Sequence, residues 1–293
     1  AQVGAIASRG GWLERRDGWR NGGTVGLIGL IIPMEGGGED SHWPPGAHSF
    51  DPRPLFPGAG VDWIDNHLFQ AVLGAILVIV VWVWLARNHK AIPGKRQFAG
   101  EQLYNLVRNG IARDILGHDY RKFLPFLLAI FTFILINNLF GQFFLFMFPT
   151  FSSIGFPYAL ALIVWIMYNA VGIRKWGFFT YVRRMSLPEG VPVFMWPLLI
   201  PLEFLSNFIV RPVTLALRLF ANLFAGHLLV IVFIVGGTLL VQSGNPGYAV
   251  AGVASWLMST AIFGLEMFVA CLQAYIFTVL TAQYISSALA EEH

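Results

Sequence analysis

Five ionisable side chains stand inside long apolar runs: Glu203, Arg211, Arg218, His227 and Glu266. A charge at the bilayer centre costs at least about 2.5 kcal/mol, so each is a functional candidate by default. At about 100° per residue, Glu203, Asn207, Arg211, Thr214, Arg218 and Asn222 fall within about a 100° arc of an unbroken helix. Such a stripe needs water, counter-charges or a partner, or else it is an internal hydrogen-bond seam against another span. Arg211 lies nearer one end, where it can snorkel or pair with Glu203. Arg218 sits in the middle of LALRLFANLF and stays charged at any physiological pH. Glu203 is about 22 Å away along the helix, and Glu266 is the only other buried acid, so the partner expected for Arg218 belongs to another protein.

His227 and Glu266 differ from Arg218 because both titrate, which suits a proton relay; the plainer alternative is a static His–Glu hydrogen bond. Nine residues separate Arg218 from His227, which sets them on opposite sides of an ideal helix, whereas Glu266 and Gln273, seven apart, share a side. Straight helices therefore do not easily give both an Arg218–Gln273 and a His227–Glu266 contact. A tilt or a kink is needed, or one pairing is indirect.

These residues need apolar elements to carry them, and the composition supplies little else. Of 293 residues, 56% are hydrophobic and 12% charged, about half the charge of a soluble domain. That excludes a water-soluble enzyme and indicates an all-α polytopic membrane protein. The single cysteine, Cys271, excludes a disulfide framework or a cysteine-based metal site within the chain. There is no Gly-rich phosphate loop, nucleophile elbow or paired aspartate, so no nucleotide site, metal or cofactor is expected.

Five crossings are predicted, over residues 68–86, 123–148, 156–173, 198–241 and 248–289. The last two are long. Forty residues at ~1.5 Å each exceed a ~30 Å hydrocarbon layer, so they must tilt steeply, kink or run partly outside it, with Pro212 and Gly236-Gly237 as available kink points. Residues 98–118 mix Glu101, Arg108, Arg113 and Asp114 with one apolar side, the pattern of an amphipathic surface helix. Residues 1–66 hold 14 glycines and 6 prolines and read as an irregular tail, separate from a membrane domain at 67–293. Residues 24–32 follow Arg15, Arg16 and Arg20 loosely like a signal peptide, but the apolar run is short and no cleavage pattern follows. Eight basic residues in 87–122 and four in 174–184, against none in 149–155 and 242–247, predict an external N-terminus and a cytoplasmic C-terminus.

The segments RPVTLALRLFANLFAGH (211–227) and LQAYIFTVLTAQYIS (272–286) resemble subunit a of the membrane sector of F-type ATP synthases. The likeness covers roughly 67–293 and is greatest to actinobacterial members, which implies a bacterial plasma-membrane protein. It implies a non-catalytic stator subunit with two offset half-channels lying against a rotating ring of c subunits, with the peripheral-stalk b subunits, other synthase subunits and lipid as partners and no nucleic acid. The family's essential arginine maps onto Arg218, its glutamine onto Gln273 and its asparagine onto Asn222. His227 and Glu266 match an outer half-channel pair, and Glu203 and Asn207 are the candidates for the inner one. Many members carry an aspartate in or after the loop between the second and third spans; here PTFSSIGFPYALAL has no acid. Asn137, Asn138 and Gln142 are polar candidates for the outer half-channel, and Asp62, Asp65 or His67 are further ones. A proton-coupled secondary transporter with a mid-membrane Arg/His/Glu site is the alternative, and it would predict repeated halves and broken short helices.

Overall fold

The computed structural model describes residues 65–87, 94–142, 150–187 and 193–290. The expectations for the 1–64 part of the tail, for 143–148 of the second span and for the last three residues lie outside these. The chain runs through helices α1 (Asn66–Ala86), α2 (Lys95–Val107), α3 (Tyr120–Gln142), α4 (Gly155–Trp176), α5 (Phe178–Ser186), α6 (Trp196–Leu205), α7 (Arg211–Gln242) and α8 (Pro246–Leu289). Five helical stretches among the described residues are long and apolar enough to cross a membrane, as predicted.

The capping of α1 follows its sequence. Asp65 accepts a hydrogen bond from the Leu68 amide at 2.7 Å, satisfying one of the free N–H groups of the first turn. After α2 come a π-helical turn at Arg108–Arg113 and a short helical turn at Asp114–Leu116. Gly117 then adopts φ 55°, a conformation that favours glycine, and this break separates the predicted surface helix from the span α3.

Residues 174–184 lie in the basic connection after the third span. They include the helix α5, whose Tyr181 is buried against Gly172; a Cβ at that glycine would lie 2.1 Å from the Tyr181 ring.

The predicted fourth span is not one straight helix. It is α6, a π-helical turn at Ser206–Val210, and α7. Pro212 has no N–H to give, so the carbonyls one turn back lose their helical donor. Two side chains of α4 replace it: Trp165 Nε1 donates to the Phe208 carbonyl at 3.0 Å and the Tyr168 hydroxyl to the Asn207 carbonyl at 2.9 Å. The wide turn also carries an extra residue, so it breaks the single polar arc expected on an unbroken helix. Asn207 is buried, whereas Thr214 and Arg218 are exposed.

Gly236-Gly237, the other expected kink point, does not interrupt α7. Gly237 is a crossing point instead: a Cβ there would lie 3.0 Å from the Gly252 carbonyl of α8 and 2.8 Å from Trp256. Lipid tails are as apolar as leucine, so close backbone approach through small residues is what joins such helices. The inner face of α8 follows the same rule, with Ser259, Ala270, Ala274, Thr278, Thr281, Ala282 and Ala288 buried at helical spacing. Phe123, Leu127 and Ile134 of α3, Val164 and Tyr168 of α4, Leu215 and Leu219 of α7, and Phe277 and Ile285 of α8 form the packed centre.

Candidate functional site

The last turns of α3 bring Asn137, Asn138 and Gln142 to the interior, all buried. Adjacent residues on a helix point about 100° apart, so Asn137 and Asn138 serve different neighbours. Asn138 donates from Nδ2 to the Ala270 carbonyl of α8 at 3.0 Å. Asn137 accepts from the Thr150 hydroxyl at 3.2 Å; the same hydroxyl lies 3.4 Å from Gln70 Oε1 on α1, and with one proton it serves one acceptor at a time. A Cβ at Gly74 would lie 2.5 Å from Asn137 Nδ2, so this glycine admits the asparagine. Thus Asn137 faces α1, together with the side of that helix that buries His67 and Gln70. Both polar atoms of Gln142 are buried and have no hydrogen-bond partner among the described residues.

The centre of this region is the His227–Glu266 pair, predicted from residue type and found in direct contact between α7 and α8. His227 is 8% exposed and Glu266 7%, so bulk solvent does not screen them. His227 Nε2 lies 2.9 Å from the Gly141 carbonyl of α3. A carbonyl only accepts, so Nε2 holds a hydrogen and Nδ1 is the atom turned to Glu266. A proton shared across Nδ1 and Oε1 then belongs to the pair rather than to either residue. Gly226 makes the approach possible, since a Cβ there would lie 2.8 Å from Glu266 Oε1. Sequence reasoning did not single out Gly226, although its place directly before His227 was a signal of a crowded crossing.

Arg218 lies on the opposite side of α7. It is exposed, and among the described residues it makes no hydrogen bond or ion pair. Its helix neighbour Asn222, one turn on, reaches Gln273 Oε1 of α8 at 3.4 Å, while Gln273 itself is 3% exposed. This resolves the geometric tension seen in the sequence. His227–Glu266 is direct, and Gln273 meets Asn222 rather than Arg218.

At the other end of the same helix bundle, Glu203, Asn207 and Arg211 line a cavity of about 210 Å³ with Tyr181, Arg184 and Trp176. Asn207 Nδ2 donates to the Met185 carbonyl at 2.6 Å and to Glu203 Oε2 at 3.2 Å. Arg211 does not pair with Glu203; its guanidinium lies over the Tyr284 ring at 5.2 Å. Burial raises the Tyr181 phenol far above its ordinary pKa, so this wall of the cavity stays neutral. Its hydroxyl donates to Asn169 Oδ1 at 3.1 Å. Among the described residues no group of three or more His, Cys, Asp or Glu is placed to hold a metal ion.

Among the described residues, a helical multi-pass bundle with a sealed titratable pair on one face of a span and an arginine without a counter-charge on the other fits an ion-conducting membrane subunit. The family model described as "ATP synthase A chain" matches residues 68–286. The chain is 46% identical over 263 residues to "ATP synthase subunit a" of Nocardioides sp., covering 87% of this chain and 95% of that relative. It is 40% identical to the subunit of the same name from Pseudarthrobacter chlorophenolicus, over 91% of this chain and all of the relative. The likeness to the Streptomyces lividans subunit is 35%, over 85% and 88%. The chain belongs to the ATP synthase subunit a family, the proton-channel stator subunits of the membrane sector. These relatives are actinobacterial, as the motifs implied, and nothing found supports the secondary-transporter alternative.

Proposed function

We propose that this chain conducts protons through two offset half-channels that meet at Arg218. The observation that carries the reading is the exposure of Arg218 at mid-span without a counter-charge among the described residues. In this reading the arginine meets a carboxylate on a rotating ring of c subunits. It favours the ionised carboxylate and so discharges the proton. Its own proton does not leave, which keeps the two half-channels from short-circuiting. Asn222 and Gln273 orient and hydrate the arginine region.

The outer half-channel uses Asn138, Gln142 and the His227–Glu266 pair, with Asn137 toward α1. Gln142, Asn138 Oδ1 and Gln273 Nε2 are buried polar groups without protein partners among the described residues, and such groups take water. The inner half-channel is the cavity of Glu203, Asn207 and Arg211. The basic connections set the orientation: the 1–66 tail external, the C-terminus cytoplasmic, in a bacterial plasma membrane. The peripheral-stalk b subunits hold this 67–293 membrane domain against the turning ring.

Cross-linking tests the ring contact. Ala221 is exposed on α7, three residues from Arg218. With Cys271→Ser as background, Ala221→Cys is expected to form a disulfide with a cysteine placed one turn from the ring carboxylate. A cysteine at buried Leu219 is expected to form none. Equal yields at both positions would contradict the proposed face.

A further inference from the structure

We infer that the cleft between the end of α2, the π-helical turn after it and the start of α3 is a binding site for one anionic phospholipid. The cleft holds about 480 Å³ and is lined by Tyr104, Arg108, Tyr120, Arg121, Leu124, Pro125 and Leu128. Its two arginines come from separate elements, Arg108 from the π-helical turn and Arg121 from α3. Arg121 Nε donates to the Tyr120 hydroxyl at 3.2 Å, and the Arg108 guanidinium lines the same cleft. Each also lies against a tyrosine ring, Arg108 at 6.0 Å from Tyr104 and Arg121 at 5.8 Å from Tyr120.

Among the described residues no acidic side chain lines the cleft. The nearby Asp119 is already engaged by Lys122 at 2.7 Å. Two guanidiniums from separate elements lining one cleft, with a phenol between them, supply the donors that a phosphodiester accepts. The floor selects among phosphates. Leu124, Pro125 and Leu128 step down one face of α3 from the arginines into the apolar span, so an acyl chain continues where the headgroup ends. A free phosphate would leave that floor uncovered. Tyrosines and arginines at the mouth of a span are also where a membrane places its headgroups.

The test uses the whole synthase complex in nanodiscs containing a photoactivatable phosphatidylglycerol diluted in phosphatidylcholine. Labelled peptides are expected from 95–128 of this chain. One basic residue near an anionic surface is worth ~1 kcal/mol, about fivefold in affinity, so Arg108→Gln/Arg121→Gln is expected to lower labelling of that region about thirtyfold. The charge-keeping Arg108→Lys/Arg121→Lys pair is expected to fall between and guards against misassembly of the first variant. Labelling unchanged in the Gln pair would overturn the site. So would equal labelling by a photoactivatable phosphatidylcholine, or full displacement by millimolar inorganic phosphate, which would show an anion site without lipid selectivity. A cross-link from this cleft to another protein subunit in place of lipid would overturn it as well.

Discussion

Arg218 and His227 stand on one helix, nine residues apart, and their surroundings are opposite in kind. His227 has everything it needs within the chain: a glutamate on α8, a carbonyl on α3 and a glycine that lets them close. Arg218 has an exposed position and no counter-charge among the described residues. A buried titratable group with internal partners can pass a proton without leaving its place. A permanent charge turned outward from a span requires something outside the chain to neutralise it. The two faces of α7 thus divide the work into an internal relay and an external contact.

Changes aimed at each face sharpen this division. Apart from Arg218 itself, the largest effect belongs to Gly226→Leu, which forces a side chain into Glu266 and parts α7 from α8. Coupled proton uptake is expected to fall at least roughly tenfold, with overpacking of about 1–3 kcal/mol visible as a lower melting temperature of the complex. Glu266→Gln keeps the shape and removes the titration. Proton flow is expected to slow roughly tenfold, since a positioned acid or base contributes at least that much, while the membrane stays tight. Unchanged flow across pH 6–9 would reduce the pair to a structural hydrogen bond. Gly237→Ala disturbs only the crossing toward the far end of α7. It is expected to cost about 1–3 kcal/mol of stability with coupling intact, read by thermal denaturation beside a pumping assay. Asn222→Ala is the mildest, removing one long hydrogen bond to Gln273 worth about 1 kcal/mol, and a severalfold slower turnover is the expected reading.

Residue type made much of this legible. Ionisable side chains in apolar runs marked Arg218, His227 and Glu266, because the bilayer penalises them wherever they are placed. The count of crossings followed from run length. What the sequence did not disclose depended on single backbone features. An ideal helix predicted one polar arc from Glu203 to Asn222, and the wide turn at Ser206–Val210 broke it. Pro212 offers a kink point, and beside it the chain widens at Ser206–Val210 while Tyr168 and Trp165 of α4 donate to the Asn207 and Phe208 carbonyls. Gly236-Gly237 offers another available kink point, yet α7 runs through it and Gly237 is a contact between helices. Residue type groups Asn137 with Asn138, yet Asn138 donates to the Ala270 carbonyl whereas Asn137 accepts from Thr150. Thr150, which donates to Asn137, and Gln70, which faces the same hydroxyl, carried no signal of their own.

The central claim is that Arg218 acts on a charge outside this chain. ATP-driven proton uptake by vesicles carrying the whole complex, compared between Arg218 and Arg218→Ala with subunit content verified, tests it most directly. The account predicts loss of coupled uptake with the complex still assembled. Normal uptake by the Arg218→Ala complex would contradict it and would make the outward face of α7 a packing surface.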